Sequence, residues 1–216
     1  NWQSLGLTTD PRPGARSDVH WHHPYLDVVS HLQDKTGPVR FYRFYYDESS
    51  RGFNMVEGYP TQIASLRTEV ITLARETSGK LWIAWTDSGL VRLSNSMDEG
   101  QSWRPGLTLP SRYGRGKPDD IAALVSLPKG RIGALWSNQE AKGFFWSMHR
   151  RDDPDSVWIQ TETAYIDSLL GTVADDHLNI KAIDKAGGIL LAVIKTGLYQ
   201  PGQPGIVLLE RRRQFG

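Results

Sequence analysis

Ser96-Met97-Asp98-Glu99-Gly100-Gln101-Ser102-Trp103 follows a strand-like run and carries the residues of a self-contained corner between two strands. The Asp98 carboxylate can accept hydrogen bonds from backbone N–H groups of its own turn, and the Ser96 hydroxyl can add another. Gly100 permits a positive φ at which a Cβ would clash. Trp103 can start the next strand and bury a large ring against the sheet. The alternative is an ordinary polar hairpin that ends in tryptophan.

A weaker copy of this corner lies further along the chain. Trp158 comes five residues after Asp153, the spacing of the first corner, whereas Arg151 and Asp155 replace its serine and glycine. The second copy therefore keeps only the acid and the tryptophan.

Around these corners, a unit of strand, glycine turn, strand, loop and strand recurs four times. Alternating or β-branched runs predict strands at 25–30, 39–46, 70–74, 81–85, 90–93, 121–127, 132–136, 143–149, 178–183, 189–194 and 206–209. Turns fall at 34–37, 77–80, 128–130 and 184–188. Only 60–67 and 167–173 are candidates for helix, and both are short.

The period of the repeat can be measured from an acid that precedes the first strand of three units. Glu69, Asp120 and Asp176 lie 51 and 56 residues apart, and Asp18 lies 51 residues before Glu69. A period near 50 with three or four strands per unit is typical of a propeller blade.

Composition excludes several classes of function. With a net charge of +1 in 216 residues, nothing favours binding to nucleic acid or to an anionic membrane. No apolar run approaches the roughly 20 residues of a membrane-spanning helix, and no signal peptide is visible, since the given sequence opens on a polar and aromatic stretch at Asn1. The absence of cysteine excludes disulfides and thiolate chemistry.

The corners and repeats resemble the sialidase-type β-propellers that carry Asp-box (BNR) repeats. The resemblance implies an all-β fold of antiparallel four-stranded blades, with about four blades in a single domain over residues 1–216. Because such propellers usually have six or seven blades, the chain is either part of a larger propeller or an unusually small one. The resemblance also implies a secreted, periplasmic or cell-surface protein that needs no cofactor.

In that family the corners lie away from the central funnel, so Ser96, Asp98, Gly100 and Trp103 are expected to be structural. Functional side chains are expected where the innermost strand of each blade begins, because those positions converge on the axis. The residues at these entrances are His22, His23, Arg67, Glu69, Asp119, Asp120, Asp175, Asp176 and His177.

Asp120, Asp176 and His177 are the candidate catalytic residues, and the others are candidate ligand-binding residues. An acid at a strand entrance can instead simply cap turn N–H groups. His22 and His23 lack the spacing of metal ligands, and we predict no metal site.

A second layer of candidate ligand-binding residues comprises Trp136, Asn138, Gln139 and Lys195. A tryptophan beside amides suits a sugar, whose hydroxyls need planar hydrogen-bonding groups and whose C–H faces stack on rings. For Trp136, the alternative of packing between blades is favoured.

These residues predict a glycan-active propeller that recognises carbohydrate at its funnel, with glycoside hydrolase (sialidase-like) or polysaccharide lyase activity as the enzymatic form. The alternatives are a lectin-like binding module and a propeller that presents its faces to a protein partner. The sialidase form lacks one expected feature. Its Phe/Tyr-Arg-Ile-Pro motif is absent, and the nearest match, Phe41-Tyr42-Arg43-Phe44, has no proline.

Overall fold

The computed structural model describes residues 4, 7, 9–33, 35–166, 174–182, 189–198 and 200–212. Within these residues the chain is all-β, with no helix, and so none that could cross a bilayer. The possible helix at 167–173 and the turn at 184–188 lie outside the described residues. The segment 60–67 is a strand.

In the part of the chain that the structure describes, sixteen strands form four antiparallel sheets in chain order. The first contains β1 (Ala15–His22), β2 (Tyr25–Leu32), β3 (Gly37–Asp47), β4 (Gly52–Met55) and β5 (Thr61–Leu66). The second contains β6 (Ile71–Arg75), β7 (Leu81–Asp87), β8 (Leu90–Ser96) and β9 (Leu107–Thr108). The third contains β10 (Ala122–Leu127), β11 (Arg131–Asn138), β12 (Gly143–His149) and β13 (Glu162–Tyr165). The fourth contains β14 (Ala174–Ala182), β15 (Ile189–Thr196) and β16 (Ile206–Arg212). The predicted antiparallel blades are confirmed.

The order of strands differs from the prediction in the first sheet. Ala15–His22 is its innermost strand, and the strand predicted at 25–30 is its second, paired through Val19 and Val28. The sequence Ala-Arg-Ser-Asp-Val-His-Trp-His has few apolar residues, and its burial alternates between intermediate and exposed. Such a weak apolar pattern does not predict a strand, which is why none was expected at 15–22.

Apolar clusters join each sheet to the next. Val29, Phe41, Ile71 and Ile83 lie between the first and second sheets. Trp82, Leu93, Trp136 and Phe145 lie between the second and third, and Leu135, Trp146, Ile180 and Leu190 between the third and fourth. Among the described residues, no apolar cluster joins the fourth sheet to the first.

The 96–103 corner is held by its own side chains. The Ser96 hydroxyl donates to Asp98 Oδ1 at 2.8 Å and accepts from the Gly100 amide at 2.8 Å, while the Ser102 amide donates to Asp98 Oδ1 at 2.9 Å. Gly100 has a φ of +87°. The Trp103 indole donates to the Gly100 carbonyl at 3.2 Å, but the next strand begins only at Leu107.

This corner also reaches the preceding sheet. The Trp103 ring packs edge-on against Phe41, with centroids 5.5 Å apart, and Glu99 pairs with Arg43 of β3 and Arg75 of β6. Burial opposes ionisation, yet hydrogen bonds from Arg75 and Arg43 lower the pKa of Glu99 to about 2.

The corner at 150–158 repeats this arrangement one sheet later. Its Trp158 indole donates to the Asp155 carbonyl at 3.2 Å, and the ring meets Trp82 of the second sheet at 5.9 Å. The Asp155 carboxylate pairs with Lys80 and Arg104, which both belong to the second sheet and its loops. Each corner therefore fastens its own sheet to the one before it.

Candidate functional site at the axial mouth

The innermost strands of the four sheets surround one axis. Residues of β1, β6, β10 and β14 line a cavity of about 210 Å³, to which Asp18 and Lys181 contribute opposite charges. The Leu73 amide donates to Asp18 Oδ2 at 2.8 Å across the first two sheets. Desolvation of the buried carboxyl raises the pKa of Asp18 despite this hydrogen bond.

The cavity opens into a cleft of about 470 Å³ where β6, β10 and β14 begin, which we call the axial mouth. Its charged residues come from three sheets, and its other wall is apolar. The charged residues are Arg16, Glu69, Asp176, His177 and Lys195, and the apolar wall includes Val70, Ile121, Leu178, Val193, Ile194 and Ile206.

A second cleft of about 490 Å³ adjoins the axial mouth and shares Glu69 with it. Arg67, Asp87 and Asp119 supply its charge, and Thr68, Thr86 and Ser88 supply hydroxyls. Two contiguous clefts thus contain six of the predicted residues, namely Arg67, Glu69, Asp119, Asp176, His177 and Lys195. Arg16 and Asp87 also line the clefts but were not predicted.

The acids at the start of β14 form a compact group. His177 Nδ1 lies 2.7 Å from Asp175 Oδ1 and 2.5 Å from Asp176 Oδ1, and Lys195 Nζ lies 3.1 Å from Asp175 Oδ2. Burial, and then the neighbouring Asp175, raise the pKa of Asp176. The hydrogen bond with Asp175, supported by Asp176, raises the pKa of His177. The neighbouring acid that raises the pKa of Asp176 is thus Asp175, which adjoins it in the chain.

Asp175, Asp176 and His177 each offer one potential metal-ligand atom, and these atoms lie within 4.8 Å of one another. A metal ion held by these three donors would need its remaining ligands from other groups. At the same time, the imidazole and Lys195 already neutralise the two carboxylates.

Asp120 is buried at the entrance of β10, outside both clefts. Its carboxylate accepts hydrogen bonds from the Lys117 amide at 2.7 Å, the Ser137 hydroxyl at 2.8 Å and the Gln139 amide at 3.1 Å. These bonds are those of a turn cap, the alternative stated for an acid at this position. We therefore leave Asp120 out of the site proposed below.

The second layer of candidates packs inside the third sheet. Trp136 is fully buried, and its indole donates to the Tyr113 carbonyl at 2.8 Å. Asn138 is buried and donates to the Tyr113 and Arg115 carbonyls at 2.9 Å, so it fixes that loop. Gln139 bonds to Asp120 through its backbone amide. None of these three lines either cleft.

His22 and His23 lie at the opposite end of the axis from the axial mouth. His22 is the last residue of β1 and His23 follows it, whereas Arg16 near the beginning of β1 lines the mouth. Six residues of extended strand place Arg16 and His22 about 20 Å apart. Burial lowers the pKa of His22 to about 4, although its Nδ1 lies 3.5 Å from Asp27. His23 is exposed. Because the sequence pattern does not predict β1, these histidines were expected to precede the innermost strand of the first sheet, whereas they lie at its end.

No family model and no curated protein matches the chain. Solved structures do match. A mutant of AofleA from Arthrobotrys oligospora has a TM-score of 0.58 and 11% identity, over 94% of this chain and 54% of that one. A mutant of the NanB sialidase from Streptococcus pneumoniae has a TM-score of 0.51 and 15% identity, over 80% and 26%.

CoXyl43, a β-xylosidase/α-arabinofuranosidase from a compost microbial metagenome solved in complex with xylotriose, has a TM-score of 0.51 and 10% identity. The match covers 90% of this chain and 68% of CoXyl43. The chain thus spans about half of AofleA and a quarter of NanB. At these identities the likeness shows the fold, which is a β-propeller.

Proposed function

We propose that the protein is a glycan-active propeller of the Asp-box class and that it binds carbohydrate at the axial mouth. The observation that carries the proposal is the pair of contiguous clefts joined at Glu69, which brings charged donors and acceptors from several sheets to one end of the axis. Sugar hydroxyls bind through such groups, and charge-assisted hydrogen bonds are the strongest of them.

The shape of the clefts suits a chain of sugars. Each measures nearly 500 Å³, so two or more rings can lie across Glu69. Val193 and Ile206 offer an apolar wall to the C–H faces of a ring in the first cleft. Because polymeric glycans lie largely outside the cell, the proposal includes an extracellular, periplasmic or surface location.

The enzymatic form of the proposal assigns proton transfer to Asp176 and Glu69. Hydrolysis of a glycosidic bond requires one carboxylic acid that is protonated and a second carboxylate across the bond. The raised pKa of Asp176 favours its protonated form, and Glu69 lines the same cleft. His177, held between Asp175 and Asp176, is a positioning residue in this scheme.

The structurally similar proteins support a carbohydrate ligand in general more than they support sialic acid as that ligand. The names of NanB and CoXyl43 describe enzymes that act on glycosides, but at 10–15% identity. The resemblance to sialidases implies three arginines around a substrate carboxylate. The described lining residues of the two clefts include two arginines, Arg16 and Arg67, one fewer than this resemblance implies.

A lectin-like module is the second candidate, favoured by the pairing at β14. His177 Nδ1 already lies 2.5 Å from Asp176 Oδ1, and a carboxylate so paired is better suited to orienting a ligand than to exchanging protons.

Binding and hydrolysis should be measured on one panel of oligosaccharides that includes xylotriose, an arabinan fragment, an ulvan fragment and sialyllactose. Asp176→Asn and Glu69→Gln should each lower affinity about tenfold or more, since each removes a charged acceptor. Asp153→Asn, an acid outside both clefts, should bind like the parent.

If the parent hydrolyses a substrate, the rate should fall as pH rises through the raised pKa of Asp176, because only its protonated form can donate. Binding without turnover selects the lectin-like form. Full affinity in both cleft variants would contradict the proposal.

A further inference from the structure

A separate cleft lies between the third and fourth sheets. It has a volume of about 210 Å³ and shares no lining residue with the axial mouth. We call it the inter-sheet cleft; its lining residues are Leu135, Trp146, Glu162, Thr163, Ala164, Ile180, Leu190, Ala192, Leu209, Glu210 and Arg211. Most of this surface is apolar, so the polar groups within it stand out.

An ion pair joins the two sheets at this cleft. Arg211 of β16 donates from Nε to Glu162 Oε2 at 3.0 Å and from Nη2 to Oε1 at 2.8 Å. The guanidinium also lies 5.7 Å from the centre of the Trp146 ring. The side chains of Arg211 and Glu162 are 31% and 46% exposed, so a ligand entering the cleft can reach both.

Two buried donors of this group have no acceptor within the described part of the chain. They are the Trp146 indole Nε1–H and the Arg211 Nη1–H. Buried N–H groups nearly always find a partner, because an unsatisfied donor is costly. Because both donors lie at the same cleft, their location points to a bound ligand that supplies the acceptor atom.

The position of the indole is built into the sequence. Gly133, in the middle of β11, lies beneath the Trp146 ring, and a Cβ at this position would be 1.9 Å from the ring. A glycine inside a central strand often marks such a close approach. Packing against Gly133 of β11 thus fixes the Trp146 ring, and the residue is only 2% exposed.

We propose that the inter-sheet cleft is a second carbohydrate site, which takes one neutral sugar ring. A hydroxyl or ring oxygen would accept from the Trp146 and Arg211 donors, and other hydroxyls would donate to Glu162. Leu209, Ala164 and their neighbours would contact the C–H face. The Glu162 carboxylate offsets the Arg211 charge, which favours a neutral ligand over an anion.

The volume limits this site to a single ring, since sites for larger ligands usually exceed about 300 Å³. This inference goes beyond the axial mouth and does not rest on it. The two sites are distinguishable because no residue lines both.

The test follows the indole N–H resonances of the eight tryptophans in ¹⁵N-labelled protein. Trp146→Phe identifies the Trp146 resonance by its loss. Neutral pentoses, hexoses and 6-deoxyhexoses are titrated into the parent, with glucuronate as the anionic comparison. We expect at least one neutral sugar to shift the Trp146 resonance with a Kd of about 1 mM or below.

Arg211→Met should weaken this binding about tenfold or more, since it removes a charged donor. The matched control is Arg212→Met, because Arg212 is adjacent but largely exposed and pairs with Glu210. Trp146→Phe, which keeps a ring but loses the donor, should also weaken binding, measured for this variant by isothermal titration calorimetry because it lacks the reporting resonance. Thermal melts check that both variants are folded. Glu69→Gln should leave the titration unchanged.

The proposal is overturned if no neutral sugar moves the Trp146 resonance, if glucuronate binds more tightly than every neutral sugar, or if Arg212→Met weakens binding as much as Arg211→Met. Failure of Asp176→Asn to alter oligosaccharide binding would count against the axial mouth alone.

Discussion

Asp155 receives hydrogen bonds from three side chains of the preceding blade, and replacing it with asparagine should loosen the third sheet from the second. Its carboxylate pairs with Lys80, accepts from Asn95 Nδ2 at 2.9 Å and accepts from Arg104 Nη1 at 2.6 Å. The Lys80 side chain is only 10% exposed, so the substitution leaves a largely buried ammonium without its counter-charge.

The magnitude can be worked from these contacts. A hydrogen bond to a charged group is worth about 1.5–3 kcal/mol, and the loss of one partner of a buried pair costs more than an exposed pair gives. Arg104 is 62% exposed and adds little. The expected loss is about 2–3 kcal/mol, or a fall in Tm of roughly 4–12 °C for a chain of this length.

Thermal and urea unfolding of the parent, Asp155→Asn and Asp153→Asn provide the assay. Asp153 has no side-chain hydrogen bond recorded in the described structure, and its substitution should change stability by less than about 0.5 kcal/mol. A fall in Tm below about 1 °C for Asp155→Asn, or an equal fall for Asp153→Asn, would refute the reasoning.

The difference between parent and variant should also depend on pH. Burial opposes ionisation of Asp155, but hydrogen bonds from Lys80 and Asn95 hold its pKa below the usual range. Because the folded pKa is the lower one, the stabilisation is complete above the unfolded value of about 3.9 and is lost as pH falls through the folded value. The melting temperatures of parent and variant should therefore converge as pH falls below the folded pKa of Asp155.

Two substitutions separate the roles within the 96–103 corner. Asp98→Ala should cost about 0.5–1.5 kcal/mol in urea unfolding, because the carboxylate holds Ser96 and Ser102 but is exposed; unchanged stability would show that the turn does not need it. Gly100→Ala should cost about 2–4 kcal/mol, since it combines a φ of +87° with a Cβ 2.3 Å from the Phe41 ring. Gly202→Ala, with a φ of +83° and open space around it, is the control and should cost about 1 kcal/mol; equal losses at the two glycines would contradict a role for the Phe41 contact.

Local patterns in the sequence were sufficient to predict the central strands of the fold. β7 and β11 lie where strong apolar runs predicted them, because both are buried almost throughout. β1 was missed because one of its faces carries exposed Val19 and Trp21, so its pattern is not that of a buried inner strand.

The site was predicted only in part, for a physical reason. Glu69, Asp176 and His177 converge because inner strands begin at one end of the axis, which follows from the repeat. Asp120 begins an equivalent strand, yet the Ser137 hydroxyl, from a different part of the chain, donates a hydrogen bond of 2.8 Å to its carboxylate and so holds Asp120 in the core. Pairings such as Arg211 with Glu162, 49 residues apart, leave no local pattern; Gly133 inside a strand is the signal that could have drawn attention to Trp146.

The direction of the corner contacts has a consequence for how such a chain can lengthen. The 96–103 corner of the second sheet contacts Phe41 in the first sheet, and the 150–158 corner of the third sheet contacts Trp82 in the second. A tandem duplication that copies a sheet together with its corner would therefore also copy the side chains that attach it to the sheet before it. Modular growth of this kind adds nearest-neighbour contacts without redesign of the units already present.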